Sequence, residues 1–169
     1  MNAYLNDLDQ TDFDLLRHLG TDGRLSYQAL ADLVGLSRPA VMERVRKLEE
    51  AGYIKGYVAV LDRARLGRPI TAFLRVRYPS SEHVGTEPWI TALEQHPDVL
   101  ECHHVAGEDC YILKVSVESM ERLQSVLRAL RAPGQPATTN TTIVLSTVFE
   151  KPGMLPIEPP SELEEAARG

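Results

Sequence analysis

The stretch from Ser26 to Gly52, SYQALADLVGLSRPAVMERVRKLEEAG, predicts two helices joined by a very short turn. Apolar residues repeat at helical spacing in both segments, as Leu30, Leu33 and Val34 and then as Val41, Val45 and Leu48. Gly35 can take the left-handed conformation that ends a helix, and Ser37 can cap the next one. Pro39 falls in the first turn, where its missing N–H costs nothing. This is the layout of a helix-turn-helix.

The second helix carries the positive charge expected of a surface that meets DNA. Four cations fall within ten residues and are opposed there only by Glu43: Arg38, Arg44, Arg46 and Lys47. The whole chain has a net charge of -6, and acidic residues collect in 7–14 and 158–165. A local basic face can therefore bind phosphates while the rest of the protein limits indiscriminate binding.

The predicted DNA contacts follow from positions around this helix when Val41 is the centre of its buried face. The residues expected near base edges are Ser37, Arg38, Pro39 and Met42, and those expected at phosphates are Arg44, Arg46 and Lys47. Ser26 completes the predicted DNA-binding set. The alternative interpretation is a solvated helix face, because charged side chains are mostly exposed whether or not they bind anything.

A further helix and a short extended segment accompany this pair. Asp9 can cap a helix that Gly20 and Gly23 then break. The apolar face of that helix comprises Phe13, Leu15, Leu16 and Leu19. It would complete a three-helix bundle. The segment 53–62, YIKGYVAVLD, predicts a strand pair or a single strand that forms a small wing beside the bundle.

The second half predicts the order β-α-β-β-α-β of a ferredoxin-like unit. The expected strands are 70–79, 99–105, 110–117 and 138–149, and the first expected helix is 87–95. Ser119 caps the second helix, whose inward residues are Met120, Leu123, Val126, Leu127 and Leu130. Helices cover only one face of such a sheet, so the other face and the sheet edges favour oligomerisation.

We therefore predict an α+β chain with an N-terminal winged helix-turn-helix and a ferredoxin-like βαββαβ effector and oligomerisation domain. The expected divisions are a DNA-binding domain at 1–61, a linker at 62–69, a sensing domain at 70–150 and an acidic, proline-rich tail at 151–169. No apolar run approaches the roughly 20 residues that cross a bilayer. The N-terminus lacks a signal peptide's basic start and apolar middle, so the expected location is the cytoplasm.

Both halves resemble the Lrp/AsnC, or feast/famine, transcription regulators. The first half carries LDQTDFDLLRHLGTDGRLSYQALADLVGLS from residue 8, VRKLEEAGYIKGYVAVLD from residue 45, and LG at 66–67. The second half carries VAGEDCYILKV from residue 105 and TTNTTIVLSTV from residue 138. The resemblance implies homodimers on an approximately palindromic double-stranded operator, higher assembly to an octamer, and a small amino-acid effector bound between dimers. Such an effector would change how the dimers pack.

The resemblance places the effector site at the hairpin turn 106–109. The expected effector-binding residues are Gly107, Glu108, Asp109, Cys110, Thr139, Thr141 and Thr142. A glycine turn can present backbone N–H groups to a carboxylate, and Glu108 or Asp109 can pair with an ammonium group. The alternative interpretation is a plain β-turn, for which Gly-Glu-Asp is suitable without any ligand.

The turn departs from the family's commonest pattern, which is Gly-acid-aromatic-Asp-Tyr. Here the residues from Gly107 to Tyr111 are GEDCY, so the aromatic is missing and Cys110 takes the place of the acid. Thr138 and Asn140 stand where the last strand often carries arginines. The identity of the effector is therefore open, and a regulator without an amino-acid effector is an alternative.

The sequence predicts no catalytic residues, no metal and no cofactor. Cys102 and Cys110 are too few for a disulfide framework and lack a usual zinc spacing. His103 and His104 would point to opposite faces of a strand and could not share one ion. A small enzyme on the ferredoxin-like domain remains an alternative, although it leaves the first 60 residues unexplained. A protein–protein adaptor that docks through the winged helix is another.

Overall fold

The computed structural model describes residues 8–77, 88–130 and 138–151 of the 169-residue chain. The chain divides into two compact units, one containing the residues up to Val60 and one spanning Leu61–Phe149. The predicted tail at 151–169 lies outside the described residues except for Lys151. Across the described ranges, no helix has the length and apolar character that a membrane crossing requires.

Three helices build the first unit: α1 (Gln10–Thr21), α2 (Tyr27–Val34) and α3 (Arg38–Glu50). Each begins at a polar N-cap whose side chain accepts a hydrogen bond from the amide three residues later, and these caps are Asp9, Ser26 and Ser37. Gly35 ends α2 at φ 69°, and the Leu36 amide then donates to the Ala31 carbonyl at 3.1 Å. The predicted left-handed turn between α2 and α3 is confirmed.

The apolar faces of the three helices meet in one core. Its buried members are Leu15, Leu30, Ala31, Val41, Val45 and Leu48. Tyr53 and Ile54 pack against this core from the segment after α3. Full burial of a large apolar side chain contributes about 1.5–3 kcal/mol. Because α3 is held by one stripe only, its opposite side is left to face solvent.

Two predictions for the first unit are wrong. Helix α1 continues through Gly20 to Thr21, where the Asp22 amide donates to the His18 carbonyl at 2.9 Å and completes the last turn. The segment 53–62 is not a strand, because no strand pairs with it in the described part of the chain. Tyr53 and Ile54 pack against the core, and the later large apolar side chains of the segment are exposed: Tyr57, Val58, Val60 and Leu61.

The second unit has the elements β1 (Ile70–Arg77), α4 (Pro88–Glu94), β2 (Val99–His104), β3 (Tyr111–Val117), α5 (Met120–Leu130) and β4 (Thr138–Ile143). The strands lie in the order β2-β3-β1-β4, and all neighbours are antiparallel. The predicted βαββαβ order is confirmed. Strand β4 ends at Ile143 rather than Phe149, because Ile143 pairs with Ala72 and the neighbouring β1 begins only two residues earlier, at Ile70.

One face of the sheet forms the core of the second unit. Along β1, burial alternates between inward Ala72, Leu74 and Val76 and outward Phe73, Arg75 and Arg77. Leu123, Val126 and Leu130 of α5 join the same core. Met120 was expected inward but is 44% exposed. At about 100° per residue it lies to one side of the stripe that the buried residues of α5 define.

A buried carboxylate ties the start of β1 to α5. Asp98, only 4% exposed, lies just before β2 and accepts hydrogen bonds from Arg68 Nη1 at 2.9 Å and Arg122 Nε at 2.5 Å. The Asp98 carbonyl also accepts from the Ser116 amide at 2.9 Å. The carboxylate and the backbone carbonyl of Asp98 together therefore fix the residues that enter β1, the end of β3 and the first turn of α5.

Replacing Asp98 by alanine should destabilise the second unit by about 1–3 kcal/mol, because Arg68 and Arg122 lose their shared acceptor. Urea unfolding can be followed by the fluorescence of Trp89, the single tryptophan, which belongs to α4. Glu94→Ala, at an exposed position of the same helix, should change stability by no more than about 0.5 kcal/mol. Equal midpoints for the two variants would contradict a stabilising role for Asp98.

Candidate nucleic-acid interface and effector turn

Helix α3 presents a polar side opposite its buried stripe, and we refer to this helix as the recognition helix. Val41, Val45 and Leu48 are buried. Most residues predicted to contact DNA are exposed: Ser26, Ser37, Arg38, Pro39, Met42, Arg46 and Lys47. Ser26 and Ser37 also cap α2 and α3, so their hydroxyls hold the two helix starts in place. The DNA contacts of all these residues stay predictions.

Arg44 differs from the other predicted phosphate ligands because its guanidinium turns back into the bundle. Its Nη1 lies 2.7 Å from Asp9 Oδ2 and 2.8 Å from Asp12 Oδ1. These carboxylates form the capping box of α1, in which each side chain accepts from the other residue's amide. Hydrogen bonds to Asp12 and then to Asp9 raise the pKa of Arg44. Arg44 thus joins the recognition helix to the first turn of α1.

Arg46 is held along the exposed side of the same helix. Its Nη2 lies 2.6 Å from Glu43 Oε1, its Nε donates to Glu43 Oε2 at 3.0 Å, and its Nη1 donates to Glu50. Lys47 Nζ is 3.8 Å from Glu43 Oε1. The hydrogen bond from Arg46 holds the pKa of Glu43 below its ordinary value. Glu43 therefore carries a full negative charge at neutral pH, in the middle of the exposed side.

Arg38, by contrast, has no carboxylate partner among the residues that the structure describes. It stands at the first position of the recognition helix and lines an open cleft of about 540 Å³ together with Ser26, Tyr27 and Tyr57. Tyr57 donates its hydroxyl to Glu49 Oε1 at 2.9 Å. Partial burial and the nearby Glu49 raise the pKa of Tyr57 to about 12. The cleft thus combines a cation, an aliphatic hydroxyl and two phenol side chains.

In the second unit, the hairpin turn and the start of β4 lie on either side of β1 at the same end of the sheet. The Cys110 amide donates to the Val76 carbonyl at 2.8 Å, and Thr139 is the partner of Val76 in β4. Across the hairpin, the Val105 amide donates to the Cys110 carbonyl at 3.0 Å. Gly107, at φ 140°, has open space around it.

The acidic residues of the turn differ in their surroundings. Glu108 is exposed, whereas Asp109 is half-buried with Oδ2 at 3.7 Å from Arg75 Nε. Cys110 packs against the core of the second unit. Of the two predicted partners for an ammonium group, Glu108 is the more accessible.

The prediction that Thr139, Thr141 and Thr142 line one effector site together is wrong within a single chain. Thr139 and Thr141 pair with Val76 and Leu74, and are half-buried on the core side of the sheet. Thr142 pairs with Phe73 on the outer side. Adjacent residues of a strand point to opposite faces, so Thr141 and Thr142 cannot line the same site.

Two adjacent histidines lie near the end of β2. His103 pairs with Ile112, and its Nε2 lies 3.2 Å from Glu101 Oε2. His104 pairs with Tyr111 on the other face, with ring centroids 5.2 Å apart. Neither Cys102 nor Cys110 takes part in a disulfide bond. The prediction that the two histidines point to opposite faces is confirmed.

The sequence indicates Glu43 as an opposing charge but not the other carboxylates that engage the cations of α3, namely Glu50, Asp9 and Asp12. The spacing of Glu43, Arg46 and Glu50, three and four residues apart, was a usable signal because such residues are neighbours on a helix. Asp12 and Arg44 are 32 residues apart, and no local pattern links them. The bond of Tyr57 to Glu49 has no signal in the sequence, because the alternating pattern of its segment predicts a strand.

Two family models match the chain, one described as winged helix-turn-helix DNA-binding over residues 8–55 and one described as Lrp/AsnC ligand binding domain over residues 71–154. The HTH-type transcriptional regulator YezC of Bacillus subtilis is 39% identical over 140 residues, which cover 83% of this chain and 95% of YezC. The chain belongs to the Lrp/AsnC family.

Other members of the Lrp/AsnC family agree with this assignment. The leucine-responsive regulatory protein of Escherichia coli is 35% identical over 144 residues, covering 84% of this chain and 87% of that protein. The structure of a feast or famine regulatory protein from Mycobacterium tuberculosis, complexed with L-methionine, matches with a TM-score of 0.79 and 34% identity. That match covers 88% of this chain and 99% of the solved one. The predicted fold class and the function of a DNA-binding transcription regulator are confirmed.

Replacing Arg44 by alanine should lower the stability of the first unit by about 1 kcal/mol at pH 7, because α1 and the recognition helix lose their ion pairs. Burial raises the pKa of the Asp9 carboxyl, but hydrogen bonds from the Asp12 amide and from Arg44 lower it further, so the pKa lies below its ordinary value of 3.8. A carboxyl whose pKa is lower in the folded state stabilises the folded protein at pH values above its ordinary pKa. This stabilisation is lost as the pH falls through the folded-state pKa. The variant and the wild type should therefore converge as the pH falls below 3.8, through the lowered pKa of Asp9.

Thermal unfolding followed by far-UV circular dichroism, between neutral pH and about pH 3, would test this. Arg65→Ala is the matched control, because Arg65 forms an exposed ion pair with Asp62 outside the bundle. A difference between Arg44→Ala and wild type that stays constant over this range would show that carboxylate pairing is not its cause.

Proposed function

We propose that this Lrp/AsnC regulator reads an approximately palindromic operator through the exposed side of its recognition helix. The observation that carries the proposal is the arrangement of α3, which is fixed by Val41, Val45 and Leu48 and by Arg44 and presents its other side to solvent. A helix anchored in this way can enter a major groove without rearranging the bundle. Residues 1–61 are the proposed DNA-binding domain, with 62–69 as linker and 70–150 as sensor.

Arg38 is the proposed principal contact, because it alone among the cations of α3 has no carboxylate partner in the described ranges. It lies at the N-terminal end of the recognition helix, the end that approaches base edges in helix-turn-helix proteins. Ser37, Pro39 and Met42 would approach bases beside it, and Ser26 would meet a phosphate next to the cleft. Arg46 and Lys47 would reach phosphates, whereas Arg44 is proposed to position the helix.

Arg38→Ala should weaken operator binding about tenfold to a hundredfold, because a lost cation at the groove removes direct contacts. Operator duplexes can be selected from a random pool with the wild-type protein, and affinities measured by fluorescence anisotropy. Arg65→Ala removes the same charge at an exposed site outside the first unit, and should bind like the wild type. Sizing chromatography would show that assembly is intact. Undiminished binding by the Arg38 variant would refute the assigned contact.

We propose that the effector is a small amino acid bound at the turn Gly107–Asp109. The Lrp/AsnC ligand binding model spans this turn, and the related protein from Mycobacterium tuberculosis was solved with L-methionine. Exposed backbone amides near Gly107 would bind the carboxylate, and Glu108 would pair with the ammonium group. Thr139 lies at the same end of the sheet, two strands from the turn.

A second candidate is a regulator of the same type that has no amino-acid effector. The observation that favours it is Cys110, which occupies the position of an acid in the family's commonest turn and packs against the core. The turn then offers one fewer carboxylate for an ammonium group. A thermal-shift screen against the twenty amino acids separates the two candidates, because only a bound effector stabilises the folded protein.

Gly107→Leu should abolish the thermal shift caused by the effector that this screen identifies, because the side chain would fill the space in front of the turn and strain a backbone at φ 140°. Gly56→Leu is the matched control, since Gly56 has φ 154° and equally open surroundings but belongs to the first unit. The control variant should respond to the effector as the wild type does. A retained response in the Gly107 variant would place the effector elsewhere.

Assembly is proposed to follow from the surfaces that a single chain leaves uncovered. The outer sheet face exposes Phe73, and the segment 57–61 exposes large apolar side chains. Pairing of two chains through their second units would give the dimer, and an octamer of four dimers is the proposed higher state. An effector can shift this assembly only if it binds two packing states with different affinity.

The proposed action is binding to DNA in the cytoplasm rather than catalysis. YezC and the leucine-responsive protein are named as transcription regulators, and this supports a regulatory role. Retention on DNA that depends on sequence and salt would separate this role from an enzyme or a protein–protein adaptor.

A further inference from the structure

The exposed side of the recognition helix carries nearly as much negative as positive charge. Within α3 there are four cations, and these are opposed by the three carboxylates Glu43, Glu49 and Glu50. Asp9 and Asp12 add two more carboxylates through Arg44. A surface of this composition attracts the DNA backbone much less than its arginines and lysine alone would suggest.

Glu43 holds a central position in this arrangement. Both of its carboxylate oxygens accept from Arg46, at 2.6 and 3.0 Å, and Oε1 also lies 3.8 Å from Lys47. Among the residues that the structure describes, Glu50 pairs with Arg46 alone, and it is the last residue of the helix. Glu49 is engaged by the hydroxyl of Tyr57. Glu43 is therefore the carboxylate that restrains both cations proposed to meet phosphates.

We propose that Glu43 is a specificity-determining residue that lowers affinity for DNA of arbitrary sequence by holding Arg46 and Lys47 and by repelling phosphates. The inference rests on the proposed function of α3. Sequence-independent binding comes from cations that neutralise phosphates and release counterions. When Glu43 withholds two such cations, a bound complex depends more strongly on base contacts at the other end of the helix, around Arg38.

The pairs are suited to this role because they are exposed and can be exchanged. Arg46 and Glu43 each have about half of their side-chain surface exposed, at 52% and 51%. Exposed ion pairs of this kind are weak and screened by salt. At an operator where the helix is correctly seated, phosphates can replace the carboxylate as partner of Arg46. On other sequences, the intrahelical pair competes with the phosphate.

The full-length Glu43→Gln variant tests the inference on two probes: a 30-bp duplex of random sequence and duplexes selected with the wild-type protein. On the random duplex, its affinity should rise about two- to fivefold per reading head. The plot of log affinity against log salt should steepen by about 0.9 for each additional phosphate contact. The gain on the selected duplex should be smaller, so the ratio of specific to random affinity should fall.

Two further variants make the outcome decisive. Glu50→Gln, which frees Arg46 from its other partner, should change random binding in the same direction but less. Glu94→Gln makes the same change of charge in α4 of the second unit, and should leave both affinities unchanged. Unchanged random binding by Glu43→Gln would overturn the inference. An equal gain in Glu94→Gln would also overturn it, by showing that only total charge matters.

The result for Arg38→Ala distinguishes failure of this inference from failure of the proposed function. If Arg38→Ala loses operator binding while Glu43→Gln behaves like the wild type, α3 reads DNA but Glu43 does not set its selectivity. If Arg38→Ala binds as the wild type does, the proposed reading surface itself is wrong, and the role of Glu43 falls with it.

Discussion

The arrangement of the DNA-reading unit depends on one guanidinium group. Arg44 projects from the recognition helix onto the capping box of α1, where Asp9 and Asp12 hold it within 2.8 Å. The apolar core fixes how closely the recognition helix packs against α1 and α2, but apolar contacts alone allow the helix some rotation and sliding. A charged, directional contact at the rim restricts that freedom. One cation is thereby used to orient the helix that carries the others.

The second unit shows the same combination of an apolar core with one buried ionic contact. Leu74, Leu113 and Val126 belong to a continuous core between the sheet and its helices. Asp98 then joins the entrance of β1 to α5 through Arg68 and Arg122. The turn at Gly107 and the start of β4 lie at the opposite end of the sheet, and this turn is exposed. The proposed effector site therefore lies far along the strands from the point that is most firmly fixed.

Charge on the recognition helix serves three different purposes. Arg44 positions the helix through its ion pair with Asp12, and Arg46 is neutralised by Glu43 and Glu50. Arg38 is the cation proposed to contact DNA. A count of cations cannot separate these roles, because each depends on which carboxylate lies within reach. The net charge of -6 and the near-neutral charge of the recognition helix have the same effect on attraction to DNA. Both reduce general attraction to DNA and leave selectivity to a few contacts.

Apart from the wing strand, which the structure lacks at 53–62, the sequence by itself determined the helices and strands and their order. Asp9, Ser37 and Gly35 mark helix ends through bonds to residues three to five positions away, so their roles can be inferred locally. Apolar spacing likewise indicated the βαββαβ unit, because period and burial are coupled along each strand and helix. These features needed no knowledge of distant residues.

Tertiary structure alone decided which of the candidate residues meet. The bond between Arg44 and Asp12 spans 32 positions, and it converts an expected phosphate ligand into a positioning residue. Strand register placed Thr142 on the face opposite Thr141, and the lack of a partner strand left the segment 53–62 unpaired in the described part of the chain. Each outcome depends on the neighbour that folding supplies, which local propensity does not specify.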